Sequence, residues 1–323
     1  MARTVAIAGA GSIGVAFAVL FASAGFTVRM WDALPSVFDR ARDDLNNRLA
    51  MLGDHGLIAE PAGEISGRVT FHEILLDALR GAELVQECVP EQLDIKREVF
   101  QQLGAYSEKH AVLASSSSAI VSSEFATATP ARERVLIAHP GNPPYLIPVI
   151  ELVPSEYTTE ETVDKATEIY RAAGLKPVRV RKEVEGFVFN RLQGAVLREA
   201  YCLVRDGVAS VEDVDEVIRS GLGRRWSVIG PFETVDLNTR GGIESHAAKM
   251  GPAYERMGLS RGQTDPWTPD LVRVVTEQRR AALPLDQWES RVRWRDEALM
   301  RLKAHFEGGP VAARPAVRTP FRL

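Results

Sequence analysis

The chain opens on Thr4-Val5-Ala6-Ile7-Ala8-Gly9-Ala10-Gly11-Ser12-Ile13-Gly14, an apolar run that breaks into glycines. The run has the length of a strand, and the glycines follow it directly and open a helix. In such a strand–turn–helix unit the first glycine permits a tight turn, the second lets backbone approach a pyrophosphate, and the third lets the helix pack on the strand. The unpaired amides at the start of the helix then face the anion. A glycine-rich turn alone is common. The next apolar run, Thr27 to Asp32, sharpens the reading, because its last residue stands 18 positions after Gly14. A carboxylate there accepts hydrogen bonds from an adenosine ribose and repels a 2′-phosphate. Gly9, Gly11, Ser12, Ile13, Gly14 and Asp32 are therefore expected to bind a dinucleotide. No Arg adjoins Asp32 in Trp31-Asp32-Ala33, although Arg29 lies in the same strand, so NAD is favoured over NADP.

The same segment is uncharged from Thr4 to Val28 and contains Ala22-Ser23-Ala24, features shared with signal peptides and membrane spans. Gly9, Gly11, Gly14 and Gly25 interrupt it where a strand, a turn and a helix need them, which a membrane helix gains nothing from. A cytoplasmic protein that does not enter a membrane is expected. Its 45% hydrophobic and 25% charged residues are those of a folded chain, and 323 positions suffice for about two domains. Thirty-nine basic against 43 acidic residues give a net charge of −4, too balanced to steer the chain onto nucleic acid, so a small molecule is the expected partner. Cys88 and Cys202 are the only cysteines. They can build neither a disulfide framework nor a cysteine zinc site, and no metal is expected.

Further strands are expected at Leu84–Val89, Ala111–Ser115, Val135–His139, Val149–Val153 and Pro177–Val180. Near-continuous apolar runs separated by helical patterns indicate a parallel sheet covered on both faces. The helix between the last two strands is read as opened by a capping box at Thr158 and Glu161 and closed at Gly174. After Gly186, Phe189, Leu192, Val196, Ala200 and Leu203 repeat at helical spacing, a second helix follows a cap at Ser210, and Gln287–Lys303 reads as a final amphipathic helix. The fold class is α/β: a doubly wound, mostly parallel sheet of the Rossmann type over residues 1–185, followed by a smaller all-α domain over 186–306. Residues 307–323, dominated by Gly, Pro and Arg, are expected to form a disordered tail.

Of six histidines, His139 is the informative one. It ends a strand and enters the rigid segment His-Pro-Gly-Asn-Pro-Pro, at the carboxyl edge of the sheet where ligands bind. Twelve residues on, Glu151 lies in an apolar strand, where an unpaired carboxylate is costly. Paired with His139, it would fix the tautomer and stabilise the imidazolium formed when the other nitrogen takes a proton. The alternative is a core His and an edge-strand Glu that never meet. Ser115 to Ser118 end the fifth strand and either bind a substrate hydroxyl or cap the next helix. Asn190 either faces the sheet from the first helix of the second domain or acts as a local cap.

Six further segments complete the pattern: Gln86-Glu87-Cys88-Val89-Pro90-Glu91, HPGNPPYLIP from His139, IELVP from Ile150, GFVFNRLQ from Gly186, GLGRRWSVIGPFET from Gly221 and WRDEALMRL from Trp294. In this order, over about residues 4–305, the chain resembles the 3-hydroxyacyl-CoA dehydrogenase family, and within it the λ-crystallin/L-gulonate 3-dehydrogenase branch. The resemblance implies NAD-dependent oxidation of a 3-hydroxyl, with His139 as general base, Glu151 as its orienting carboxylate, and Ser118 and Asn190 on the reacting oxygen. It implies that Glu91 and Lys96, which alone read as a surface helix pair, and Asn142 contact the nicotinamide side of the cofactor. It further implies a homodimer through the helical domain and a substrate-facing Arg225, acting in its own subunit or across the dimer. The substrate implied is a small hydroxy acid, L-gulonate first. L-carnitine or a 3-hydroxyacyl-CoA is the alternative, and a non-catalytic NAD-binding crystallin a remoter one. Gly141 is unusual within HPxNPP and is expected to enlarge the pocket. Trp226 resembles the L-carnitine dehydrogenases, whose trimethylammonium would need a cage drawn from Tyr145, Trp226 and Phe232.

Overall fold

The computed structural model describes residues 3–239, 242–261 and 284–308, with 270, 273, 274, 277 and 281. Among them one sheet is formed by β1 (Thr4–Ala8), β2 (Thr27–Trp31), β3 (Val69–His72), β4 (Leu84–Glu87), β5 (Val112–Ser115), β6 (Val135–Pro140), β7 (Val149–Pro154) and β8 (Lys176–Arg179). The strands lie in the order β3-β2-β1-β4-β5-β6-β7-β8. Every neighbouring pair is parallel except β6 and β7. The winding reverses at β1, so the carboxyl ends of β1 and β4 border the crevice in which doubly wound sheets bind ligands. This is the α/β fold read from the sequence. The reading passes over β3, because Val69-Thr70-Phe71-His72 is short and buries only Val69.

Helices cover both faces: α1 (Ser12–Ser23), α2 (Phe38–Asp54), α3 (Ala62–Ser66), α4 (Leu75–Leu79), α5 (Leu93–Tyr106), α6 (Ser122–Ala126) and α7 (Glu160–Ala172). The two-residue period of β1 divides it between two cores. Val5 and Ile7 pack with Phe17, Phe21, Leu45 and Leu49, while Ala6 and Ala8 pack with Phe100, Leu103 and Phe125. The cap of α7 lies one residue later than expected. Thr159 Oγ1 accepts from Thr162 N at 3.3 Å, and the Thr158 hydroxyl instead donates to Val135 O at 2.5 Å, tying the loop to β6.

Two compact units are distinguished: one runs to Asn190 and takes up the chain again at Val292, and the other spans Arg191–Arg291. Helix α8 (Phe189–Arg205) crosses the first boundary, followed by α9 (Val211–Glu216), α10 (Gly223–Trp226), α11 (Pro231–Asn238) and α12 (Gly242–Leu259). Ser210 caps α9 through a reciprocal box with Asp213. The last described helix, α13 (Trp288–Gly308), buries Met300 in the core of the first unit, and Lys303 Nζ donates to Tyr145 O at 2.7 Å. Glu307 and Gly308, read from sequence as tail, close this helix, and the remainder of the expected tail lies outside the described residues. No described helix is long and apolar enough to cross a membrane.

Candidate active site

The glycine loop has the form of an anion cradle. Gly9 holds φ +115°, and a Cβ there would lie 2.6 Å from Cys88 O; at Gly14 a Cβ would lie 1.9 Å from Gly9 O. A side chain at Gly11, in contrast, would meet no atom within 4 Å. Gly11 is the N-cap of α1, which has neither a side-chain cap nor an acidic residue in its first turn. Backbone thus comes up bare to open space with its positive helix end uncovered. Asp32 Oδ2 accepts from Ala10 N at 2.8 Å and Oδ1 from Leu34 N at 2.9 Å, which fixes the carboxylate at the end of β2 and leaves each oxygen a further lone pair. Arg29 is engaged elsewhere, donating to the carbonyls of Asp77 at 3.3 Å and Arg80 at 2.5 Å. These residues fit NAD: Gly11, Ser12, Ile13 and Gly14 would hold the diphosphate and Asp32 the ribose. Asn142 is exposed just past the end of β6.

The pairing of His139 with Glu151 depends on the one antiparallel junction of the sheet. β6 and β7 set His139 directly opposite Glu151, and Nδ1 and Oε2 are 2.8 Å apart. His139 is 6% exposed and Glu151 2%. An ionised carboxylate can only accept, so Nδ1 carries the proton and Nε2 is the basic nitrogen. The second oxygen, Oε1, accepts from Val188 N at 2.8 Å and Phe189 N at 3.0 Å, fastening the start of α8 to β7. Glu151 is therefore an interior, partnered residue of an inner strand and not an edge carboxylate. The rings of Phe187 and Phe189 lie 5.5 and 6.2 Å from the imidazole. Phe187 holds φ +50°, a strained region for a bulky residue, and the two bonds to Glu151 fix the amides that follow it.

Ser118 is exposed beyond β5, and its carbonyl accepts from Asn190 Nδ2 at 3.0 Å. Asn190 directly follows the amides held by Glu151. The structure thus joins His139, Glu151, Asn190 and Ser118 in one local set. Ser115 and Ser117 are buried, and their hydroxyls donate to Glu87 and Glu91, each at 2.5 Å, so neither is free for a ligand.

Lys96 is not half of a surface pair. Its side chain is 0% exposed, with Nζ 3.1 Å from both Glu87 oxygens and 3.3 Å from Glu91 Oε2. Burial pushes the Glu87 carboxyl above the usual carboxylate range, against the opposing pull of Lys96 and Ser115. Burial also pushes Glu91 upward, but the Ser117 bond, the Lys96 charge and the loop amides outweigh it and hold Glu91 below that range. Glu87 escapes the sequence reading as the partner of Lys96 and Ser115; the available signal was an acid inside the apolar run Leu84-Val85-Gln86-Glu87, the same that exposed Glu151.

The Gly141 expectation is corrected. A Cβ there would lie 2.5 Å from Ile147 Cγ2, so Ile147 fills the space that the missing side chain leaves. Tyr145 is buried under its own unit, its hydroxyl pushed up to about 12, chiefly by burial, and it is no part of an open cage. A cleft of about 500 Å³ does lie just past Ser118, between residues 119–124 and 183–185, with Glu124, Glu183 and Glu185 in its lining. Arg225, Trp226 and Phe232 are exposed residues of the second unit.

Residues 4–184 match the 3-hydroxyacyl-CoA dehydrogenase NAD binding domain, and residues 186–276 match the C-terminal domain of the same family. The chain belongs to the 3-hydroxyacyl-CoA dehydrogenase family. It is an NAD-dependent oxidoreductase on that ground, and NAD is its cofactor. It is 38% identical over 305 residues to lambda-crystallin of Oryctolagus cuniculus, covering 93% of this chain and 95% of that one. It is 34% identical to an L-carnitine dehydrogenase of Pseudomonas sp., covering 85% and 84% of the two chains. Among solved structures it is similar to 5-formyl-3-hydroxy-2-methylpyridine 4-carboxylic acid 5-dehydrogenase, an NAD+-dependent dismutase, with a TM-score of 0.81, 30% identity and coverage of 95% of this chain and 99% of that chain.

Proposed function

We propose that this member of the family oxidises the 3-hydroxyl of a small hydroxy acid, L-gulonate first, to the 3-keto acid. The observation that carries the reading is the buried His139–Glu151 pair with its 2.8 Å bond at Nδ1. His139 Nε2 takes the hydroxyl proton, and Glu151 balances the charge of the resulting imidazolium. The Ser118 hydroxyl and the second N–H of Asn190 orient the reacting oxygen. NAD, when bound, supplies the acceptor for the hydride that leaves C3. Residues 1–185 serve as the cofactor domain and 186–306 as the substrate and dimerisation domain. Arg225 binds the substrate carboxylate, which a guanidinium can grip through two parallel bonds. The two thiols, Cys88 and Cys202, fit work in the reducing cytoplasm.

A specific observation favours L-carnitine as the second reading. Glu124, Glu183 and Glu185 are among the residues lining the cleft past Ser118, and their negative charge attracts a trimethylammonium, accepts a neutral polyol chain and repels the phosphates of CoA. The discriminating experiment follows NADH formation with L-gulonate, L-carnitine and 3-hydroxybutyryl-CoA. The highest kcat/KM is expected with L-gulonate. Turnover of the thioester alone would overturn the reading, and NADH binding without turnover of any of the three would support a crystallin-like role.

A further inference from the structure

Ser12 opens α1 at the glycine loop, and a cation from the neighbouring helix holds it from behind. Arg48 Nη2 donates to Ser12 Oγ at 2.9 Å, and Nη1 donates to Ser12 O at 3.1 Å. Asp44, one turn earlier on α2, aims the guanidinium: its two oxygens accept from Nε at 2.9 Å and from Nη2 at 2.7 Å. These four bonds occupy four of the five N–H donors of the arginine. The Tyr145 hydroxyl also lies beside the guanidinium, which opposes the upward push of burial on that hydroxyl. The Arg48 side chain is only 16% exposed, whereas Ser12 is exposed. The arginine has little left to offer a ligand directly; the serine has its proton.

A hydroxyl has one proton and two lone pairs. With Arg48 donating to one lone pair, the Ser12 proton cannot point at the guanidinium, and no acceptor for it stands among the described residues. Ser12 lies in the first turn of α1, next to Gly11, where a Cβ would meet no atom within 4 Å. A cation at the positive end of a helix is unfavourable by itself. Asp44 offsets the charge of Arg48, yet the helix end stays uncovered. An anion in the open space before Gly11 would be received by the loop amides and the Ser12 hydroxyl together.

We propose that Arg48 is a positioning residue of the cofactor site: it turns the proton of Ser12 outward, so that this hydroxyl donates to the diphosphate of NAD alongside the amides of the loop. The proposal rests on the glycine loop as the diphosphate site and is independent of which hydroxy acid is oxidised.

The test is binding without turnover, in the unaltered protein, Arg48→Met, Ser12→Ala and the double variant. NADH affinity is measured by fluorescence titration, ADP-ribose and adenosine affinities by competition with NADH, and folding by thermal melts. ADP-ribose keeps the diphosphate and adenosine lacks it. Arg48→Met is expected to weaken NADH and ADP-ribose by about five-fold or more, as loss of one hydrogen bond to a charged group does, and adenosine by less than about two-fold. In the double variant the ADP-ribose loss is expected to stay within about two-fold of that in Ser12→Ala alone, since residues that act through one another are not additive. Losses that multiply overturn the proposal in favour of a direct pull of the guanidinium on the diphosphate. Unchanged ADP-ribose affinity in either single variant overturns it, and equal losses for adenosine and ADP-ribose overturn it in favour of a purely structural role. Failure of the unaltered protein to bind ADP-ribose removes the glycine-loop assignment along with it. Should Arg48→Met fail to fold, Arg48→Lys keeps the charge beside Asp44 but loses the fork that reaches Asp44 and Ser12 together, and the same pattern is expected.

Discussion

At the residue scale, Asp32 would govern the choice of cofactor through charge and position together. Its carboxylate is held by two amides at the end of β2, and Arg29 donates to carbonyls elsewhere, so a 2′-phosphate would meet negative charge without a compensating cation. NAD is expected to be preferred to NADP, each ten-fold corresponding to ~1.4 kcal/mol. Asp32→Ala should narrow that gap, and equal kcat/KM with both cofactors in the unaltered protein would contradict the assignment. Arg225→Met should raise KM for free hydroxy acids by about ten-fold, as loss of a charge-assisted pair does, and should spare NADH binding. An equal effect on free acids and CoA esters would show that Arg225 does not read the carboxylate. His139 and Glu151 were legible in the sequence because a charge inside an apolar strand demands a partner. Lys96 was not, because its place five residues after Glu91 is equally that of an exposed pair near the start of a helix. Only the approach of β4 and β5 beneath α5 makes it a buried ammonium.

At the scale of elements, the parallel strands announced themselves as continuous apolar runs, whereas the reversal between β6 and β7 did not. The connection from Gly141 to Pro148 has no short hairpin turn signal, yet the reversal is what sets His139 opposite Glu151. The same connection carries Tyr145, whose carbonyl accepts from Lys303 of α13. Burial raises the Tyr145 hydroxyl from its ordinary value of 10 to about 12. The folded state then keeps this proton longer than the unfolded chain. The stabilisation is complete below pH 10 and is lost as pH rises from 10 through about 12. Tyr145→Phe should flatten the fall of unfolding free energy over that window, measured by denaturant titration at several pH values. Identical slopes in both proteins would show that Tyr145 does not titrate with unfolding.

For the whole molecule, the helical part raises the question of a second copy. Among the residues of α8 only Cys202 is fully buried, while Leu192 is 60% exposed and Val196 and Leu197 are each 37% exposed. An apolar stripe left open in this way is suited to an isologous partner. Light scattering at micromolar concentration is expected to give the mass of a dimer, and a stable monomer of 35.5 kDa would count against it. The periodicity of that helix was legible in the sequence, but what covers its stripe was not, since one hydrophobic stripe serves a core or an interface equally well. The central claim, that His139 is the proton acceptor in an NAD-dependent oxidation, is tested most directly by kcat of His139→Gln with the best hydroxy acid, under conditions where hydride transfer limits the rate. A positioned base contributes ~10²–10⁴-fold, so kcat should fall by about that factor while NADH affinity holds. Retention of more than about half of the turnover would contradict the account.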